Sequence, residues 1–287
     1  MTLPFTKLTG AGNDFVLIDN REEACALQWE RIAQILCDRH FGIGADGLLV
    51  LEDSASVDYT MNYYNADGSS GGMCGNGARC AALYYFENES DSNLAHFETL
   101  GHVYTAEEAQ HSIKIKMRDV TYHIEKNDIE TENKILPVHF LDLGTSPHTG
   151  LFFEEIYTQF TGVTDISQLP VRALGQSIRF HKKFLPHGTN VDFIQKKDDT
   201  TIKLRTYERG VEDETLACGT GCVASALLSA EQYAMRSPIH IIPTGKKMLT
   251  VFFTKAANTY SDIWLEGETQ LLFHSTITID NDTYAIK

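Results

Sequence analysis

Tyr63-Tyr64-Asn65-Ala66-Asp67-Gly68 runs on into Cys74-Gly75-Asn76-Gly77-Ala78-Arg79-Cys80. About half a chain length later, Tyr207-Glu208-Arg209-Gly210 runs on into Cys218-Gly219-Thr220-Gly221-Cys222-Val223-Ala224. Each passage reads as a strand, a polar loop, Cys-Gly-x-Gly, and then a run of small residues with helical character. One element repeated half a chain apart is most simply explained by two similar halves, each carrying one copy.

The rest of the chain fits that frame. Phe15–Ile18 is a short apolar run ending at Asp19-Asn20, a strand and a turn. Within Glu22–His40, Trp29, Ile32, Ala33, Leu36 and Cys37 recur at helical spacing and predict one amphipathic helix. Phe41–Gly47 is a glycine-punctuated loop leading into the strand Leu48–Leu51. Strands are predicted over His111–Arg118 and Thr201–Tyr207, with a late antiparallel pair over Met248–Thr254 and Tyr260–Leu265. The polar run Glu125–Lys134 is a candidate domain boundary. Gly10-Ala11-Gly12-Asn13-Asp14-Phe15 falls short of a dinucleotide-binding loop. Phe15 stands where the last glycine belongs, and the segment is read as preceding a strand rather than following one.

The 287 residues carry 24 Lys+Arg against 39 Asp+Glu, a formal net charge of −15. A chain of this length can bury a core without disulfide or metal staples. Its acidic balance speaks against a general nucleic-acid binder, although a local pocket can still oppose the global charge and take an anion. No stretch is long and apolar enough for a membrane span, and the start has no signal-peptide pattern, so a cytoplasmic enzyme is expected. The six cysteines, at 25, 37, 74, 80, 218 and 222, then read as reduced thiols. None is spaced Cys-x-x-Cys, and no metal site is expected. Cys25, Cys37, Cys80 and Cys222 read as packing residues.

Cys74 and Cys218 are open to two readings, buried small hydrophobes or acid–base groups. The first N–H groups of a helix lack intrahelical partners and lie at the positive end of its dipole, where a carboxylate fits. The same field is expected to lower the pKa of a cysteine placed there. Two such elements would give a device that removes an α-proton from one face of a carbon and returns one to the other, inverting it without a cofactor. The glycine context and the repetition favour chemistry over packing.

At these residues the sequence resembles the diaminopimelate epimerase family. The matching segments are Gly10–Phe15, Phe41–Gly47, Asn65–Ser69, Cys74–Cys80, Gly188-Thr189-Asn190-Val191, and Tyr207–Gly210 with Cys218–Gly221. They occur in the family's order and span nearly the whole chain. The resemblance implies an α/β (α+β) fold of two structurally similar domains, each a mainly antiparallel sheet wrapped around a central helix, with the active site in the cleft between them. It implies domains at 1–120 plus 271–287 and at 121–270. It also implies cofactor-free interconversion of LL- and meso-diaminopimelate, a precursor of lysine and peptidoglycan, by a homodimer.

Carried over by position, Cys74 and Cys218 are the acid–base pair, with His148 beside Cys74 and Glu208 beside Cys218. Such partners are expected to set the two thiol pKa values apart. The amides of Gly75, Asn76, Gly219 and Thr220 hold the reacting carboxylate. Asn13, Asn65, Asn190 and Arg209 read the amino-acid groups, with Arg209 on the distal carboxylate. The chain departs from the family where Thr145-Ser146-Pro147-His148 stands for the frequent Gly-Asn-Pro-His. Ser146 has a shorter reach toward the distal end of the substrate. Thr244-Gly245-Lys246-Lys247 replaces a more usual Pro-Gly-Gly turn, a structural difference.

Overall fold

The computed structural model describes residues 1–21, 27–89, 92–110, 112–131, 134–280 and 283–286. The chain divides into two compact units, one of Met1–Lys116 with Glu266–Lys287, the other of Met117–Leu265.

The first unit opens with β1 (Thr2–Gly10) and β2 (Asn13–Asp19), an antiparallel hairpin joined at Ala11 (φ 52°) and Gly12 (φ 99°). Two successive positive φ angles match the right-handed twist of a two-residue hairpin, and Gly12 takes its angle without penalty. Gly10–Phe15 therefore follows a strand as well as preceding one. It is a hairpin turn, correcting the expectation that it only leads into a strand.

Helix α1 (Trp29–Cys37) carries the chain to β3 (Gly47–Glu52), which pairs parallel with β2. Its predicted apolar face, Trp29, Ile32, Ala33, Leu36 and Cys37, is buried against the sheet with Val16, Leu48 and Val50. β3 pairs antiparallel with β4 (Tyr59–Asn65), and α2 (Gly75–Glu89) crosses over to β5 (Leu94–Thr99), parallel to β4. The unit continues antiparallel through β6 (His102–Ala109) and β7 (Ser112–Lys116).

The second unit begins with β8 (Val120–Thr121), β9 (Glu125–Thr131) and β10 (Lys134–Asp142). The polar run read as a boundary is thus a strand paired with β10. Of its side chains Ile129 is buried and the charged ones face outward. β11 (Pro147–Phe152) leads through α3 (Phe153–Ile156) and α4 (Val171–Arg179) to β12 (Asn190–Lys196), parallel to β11. β13 (Thr201–Glu208) and β14 (Asp213–Thr215) follow, then α5 (Gly219–Gln232), β15 (Ile239–Ile242), β16 (Leu249–Ala256) and β17 (Thr259–Gly267). β18 (Thr269–Thr278) returns to the first unit and pairs antiparallel with β1.

The two units repeat one topology. From β18 through β1, β2, β3, β4 and β5 to β6 the pairings run antiparallel, antiparallel, parallel, antiparallel, parallel, antiparallel. From β9 through β10, β11, β12, β13 and β15 to β16 they run in the same order. A parallel pair needs a crossover, and each unit supplies two at corresponding places. The second crossover helix, α2 or α5, starts at Cys-Gly-x-Gly and lies against its own sheet. In α5 every residue from Gly221 to Ala230 is buried. A helix buried all round needs small residues where strands pass closely, and Gly, Cys, Ala and Ser provide them. Gly150 in β11 has the same origin, since a Cβ there would stand 2.6 Å from Leu228 of α5.

Candidate active site

Each unit builds one half of a repeated arrangement at the N-terminus of its buried helix. In the first, the Gly77 amide donates to Cys74 Sγ at 3.4 Å, and the helix ladder begins with Ala78 N–H to the Cys74 carbonyl. In the second, the Gly221 amide donates to Cys218 Sγ at 3.4 Å, and Cys222 N–H to the Cys218 carbonyl. The sulfur occupies the capping position usually held by a Ser, Thr or Asp oxygen. Two amides precede the capped one in each helix, those of Gly75 and Asn76 and those of Gly219 and Thr220, where an α-helix has no carbonyl partners of its own. Cys74 is half-buried and Cys218 buried. Cys37, Cys80 and Cys222, the expected packing thiols, are buried, while Cys25 lies outside the described residues.

Around Cys74 the amides are tied together. Arg79, fully buried one helical turn on, donates to Asn76 Oδ1. Its guanidinium reaches back because helical side chains lean toward the N-terminus. Asn76 Nδ2 donates to Asn13 Oδ1 at 2.7 Å, and Asn13 Nδ2 to Asp46 Oδ2 at 2.9 Å. Arg39 closes the network by bonding Asp46 and Asp14, and Lys7 also pairs with Asp14. Asn13 and Asn76 are thereby held in fixed amide orientations, each keeping one N–H and one lone pair for a ligand. Asn65, at the end of β4, donates to Ser69 Oγ at 2.9 Å.

Around Cys218 the structure brings His148, Asn190, Glu208 and Arg209 onto neighbouring strand ends. The parallel register of β11 and β12 sets His148 beside Asn190, and the antiparallel register of β12 and β13 sets Val191 opposite Tyr207. Asn190 Nδ2 donates to Ser146 Oγ at 2.7 Å, and its Oδ1 accepts the Arg209 amide at 2.8 Å. The hydroxyl at the departure from the family pattern is thus engaged with Asn190. Tyr207 packs on α4, where a Cβ at Gly175 would stand 2.3 Å from it. Arg209 lines a cavity of about 420 Å3 together with Ser146, Pro147, Lys183, Phe184 and His187.

Electrostatics at Cys218 correct one expectation. Burial pushes the Cys218 thiol well above its ordinary pKa, and Glu208 and Asp192 add to the rise. The Thr220 hydroxyl and the Gly221 amide pull the other way and are outweighed. The helix N-terminus does not make this cysteine a thiolate at neutral pH. It remains a thiol. Burial likewise raises the Glu208 carboxyl, with His148 and Cys218 drawing it partly back.

Sequence reading missed Asp192. It is fully buried, pairs with His148 Nδ1 at 2.7 Å through Oδ2, and accepts the Thr206 hydroxyl at 2.7 Å through Oδ1. The available signal was strand alternation, which puts Asn190 and Asp192 on one face of β12. Among the described residues, no group of three His, Cys, Asp or Glu side chains is placed to hold a metal, and no helix is long and apolar enough to cross a membrane.

Residues 5–123 and 159–258 match the family model for diaminopimelate epimerase. The chain belongs to the diaminopimelate epimerase family. Its relatives in that family of isomerases include the diaminopimelate epimerase of Chlorobaculum tepidum, 37% identical over 276 residues covering 95% of this chain and all of that one. The diaminopimelate epimerase of Aquifex aeolicus is 35% identical over 287 residues, covering 96% and 98%. Among solved structures, a hydroxyproline epimerase from Agrobacterium vitis superposes with a TM-score of 0.70 at 13% identity, covering 99% of this chain and 94% of that one. A PhzF-family protein from Enterococcus faecalis gives 0.66 at 12%, covering 97% and 100%. The chain thus shares its α+β fold with proteins of distant sequence.

Proposed function

We propose that this member of the family interconverts LL- and meso-2,6-diaminopimelate without a cofactor, with Cys74 and Cys218 acting on opposite faces of the α-carbon. What carries the reading is the pair of sulfur-capped helix N-termini in a chain of this family. The Cys74 thiolate takes the α-proton, and the Cys218 thiol gives one to the other face, so a thiol and a thiolate are exchanged and the centre is inverted. In the other direction the roles reverse. The elevated pKa of Cys218 supports its role as the proton donor. Amides of Gly75, Asn76, Gly219 and Thr220 bind the reacting carboxylate and stabilise the charge that develops as the proton leaves. His148 receives the Cys74 thiol proton, and Glu208 assists Cys218. Asn13, Asn65 and Asn190 orient the amino-acid groups, and Arg209 takes the distal carboxylate bidentately. The product serves lysine and peptidoglycan synthesis in the cytoplasm, and the working form is a homodimer.

The test is proton NMR in D2O with thiols kept reduced. LL-diaminopimelate loses its α-proton signal while the meso isomer appears, and trans-4-hydroxy-L-proline is left unchanged. Cys74→Ser and Cys218→Ser each reduce turnover by orders of magnitude with the fold intact. No exchange of diaminopimelate by folded, reduced protein refutes the reading.

A further inference from the structure

Asp192 belongs to none of the Cys-Gly-x-Gly or Tyr-Glu-Arg-Gly segments, yet it lies at the centre of the second unit's polar cluster. Its side chain is fully buried, a place where a carboxylate is tolerated only when paired and hydrogen-bonded. Three features of the fold provide for it. The antiparallel register sets Thr206 directly opposite, and its hydroxyl donates to Oδ1 at 2.7 Å. The parallel register of β11 sets His148 one strand over, with Nδ1 2.7 Å from Oδ2. Gly221, in the first turn of α5, leaves the space that Oδ1 fills, because a Cβ there would stand 2.8 Å away.

An ionised carboxylate only accepts, so the short contact to His148 requires a proton on Nδ1. Nε2 then holds the ring's lone pair. Among the described residues its hydrogen-bond contact is to Asn190 Nδ2 at 3.5 Å, too long to occupy it firmly. We propose that Asp192 is a positioning residue, which fixes His148 in the Nδ1–H form and thereby makes Nε2 the atom that accepts a proton during catalysis. When Nε2 takes a proton the imidazolium carries its charge beside Asp192 on β12. Glu208 on β13 is a second carboxyl acting near this pair, and Cys218 follows before α5. The proposal deepens the reading above and rests on it for the role of His148.

A purely structural Asp192 would tie β12 to β11 and affect unfolding alone. The distinguishing measurement is long-range proton–nitrogen correlation on 15N-histidine-labelled protein at neutral pH, with His148 assigned through its loss in His148→Gln. A proton on Nδ1, whether Nε2 is bare or also protonated, is the expected result. A His148 protonated at Nε2 with Nδ1 bare overturns the proposal.

In Asp192→Asn the Thr206 hydroxyl keeps the amide oxygen, so the NH2 group meets Nδ1 and drives the ring proton to Nε2. The expected kcat falls by about 10²- to 10⁴-fold, the usual worth of a positioned acid–base group, while KM changes little. A folded Asp192→Asn protein with wild-type kcat also overturns it. The NMR readout needs no substrate. A protein inactive on diaminopimelate but holding the Nδ1 proton therefore refutes the diaminopimelate reading and leaves the tautomer assignment standing.

Discussion

The last residue of each Cys-Gly-x-Gly element is glycine, but the two glycines, Gly77 and Gly221, serve different ends, and alanine separates them. A Cβ at position 221 would stand 2.8 Å from Asp192 Oδ1, 3.1 Å from Thr206 Oγ1 and 3.2 Å from Cys218 Cβ. The first of these contacts has to open by about 0.6 Å to reach an ordinary separation. The atom that must move is a buried carboxylate oxygen held on both sides, by Thr206 and through Oδ2 by His148. Weakening one charge-assisted bond costs about 1.5–3 kcal/mol, and alanine returns about 0.5–1 kcal/mol of helix propensity. Gly221→Ala is therefore expected to lose about 1–2 kcal/mol net, or a Tm roughly 2–8 °C lower for a chain of this size. At position 77 the nearest atom is the Leu49 Cδ2 methyl at 3.1 Å, the end of a flexible side chain, and Cys74 follows at 3.6 Å. That methyl can give way, so the propensity gain prevails and Gly77→Ala is neutral to slightly stabilising. Calorimetry and urea unfolding of the two variants check the contrast. A Gly221→Ala protein as stable as the parent, or a Gly77→Ala protein that loses more than it, would refute the assignment of Gly221 to the carboxylate.

Cys218 should alkylate with iodoacetamide more slowly than the more accessible Cys74 at neutral pH, and peptide mass spectrometry of the labelled protein measures the order. Burial also holds Cys37 and Cys80 at pKa values of about 12. Folded values above unfolded ones mean that the native state retains protons the unfolded chain gives up. Stability is thus fully present below about pH 8.5 and falls above it, by up to about 1.4 kcal/mol per pH unit for each such thiol until its folded pKa is reached. Urea midpoints that stay flat from pH 8 to 11 would contradict this. Asp165, held at about 2 by its hydrogen bonds to Lys203 and Ser167, caps the turn Ile166–Gln168. Asp165→Asn keeps the cap but loses the charge paired with Lys203, and is expected to lose roughly 0.2–1 kcal/mol at pH 7, a deficit that shrinks as pH falls from about 4 toward 2, where the parent carboxylate is protonated too. Asn76→Ala removes the link between Arg79 and Asn13 and should lower kcat/KM by about 5- to 150-fold, the equivalent of about 1–3 kcal/mol, as read by steady-state kinetics.

What was legible in the chain, and what was not, divides along a physical line. Periodicity along one element is local, and the face of α1 and the strand expected over Thr201–Tyr207 follow from it, while the two helices after Cys-Gly-x-Gly follow from their runs of small residues. The repeated topology was visible only at the one place where it left a matching motif. Elsewhere the two units keep the pairing order with different side chains, because a sheet and its crossovers ask for a pattern of burial rather than for particular residues. Glu125–Thr131 was misread for the complementary reason. A strand whose outward face is all charged reads as a linker until its partner β10 is in place. Asp192 marks the deeper limit. Seen in sequence it is one more acid in a chain with 39 Asp and Glu. Its meaning comes from two registers at once, Asp192 against Thr206 and His148 against Asn190, and from the space left by Gly221. The same crowding explains why the dipole argument at Cys218 gave the wrong sign. A helix N-terminus acts with about half a charge, whereas burial together with two nearby carboxyl groups acts with more, and in the opposite direction. In the first unit the capping network sets the Arg79 cation against Asn76 and reaches the Asp46 carboxylate through Asn13. One fold, repeated with different side chains behind its two sulfurs, is how a near-symmetric scaffold gives Cys218 surroundings of its own, in which burial and two carboxyl groups hold it as the thiol.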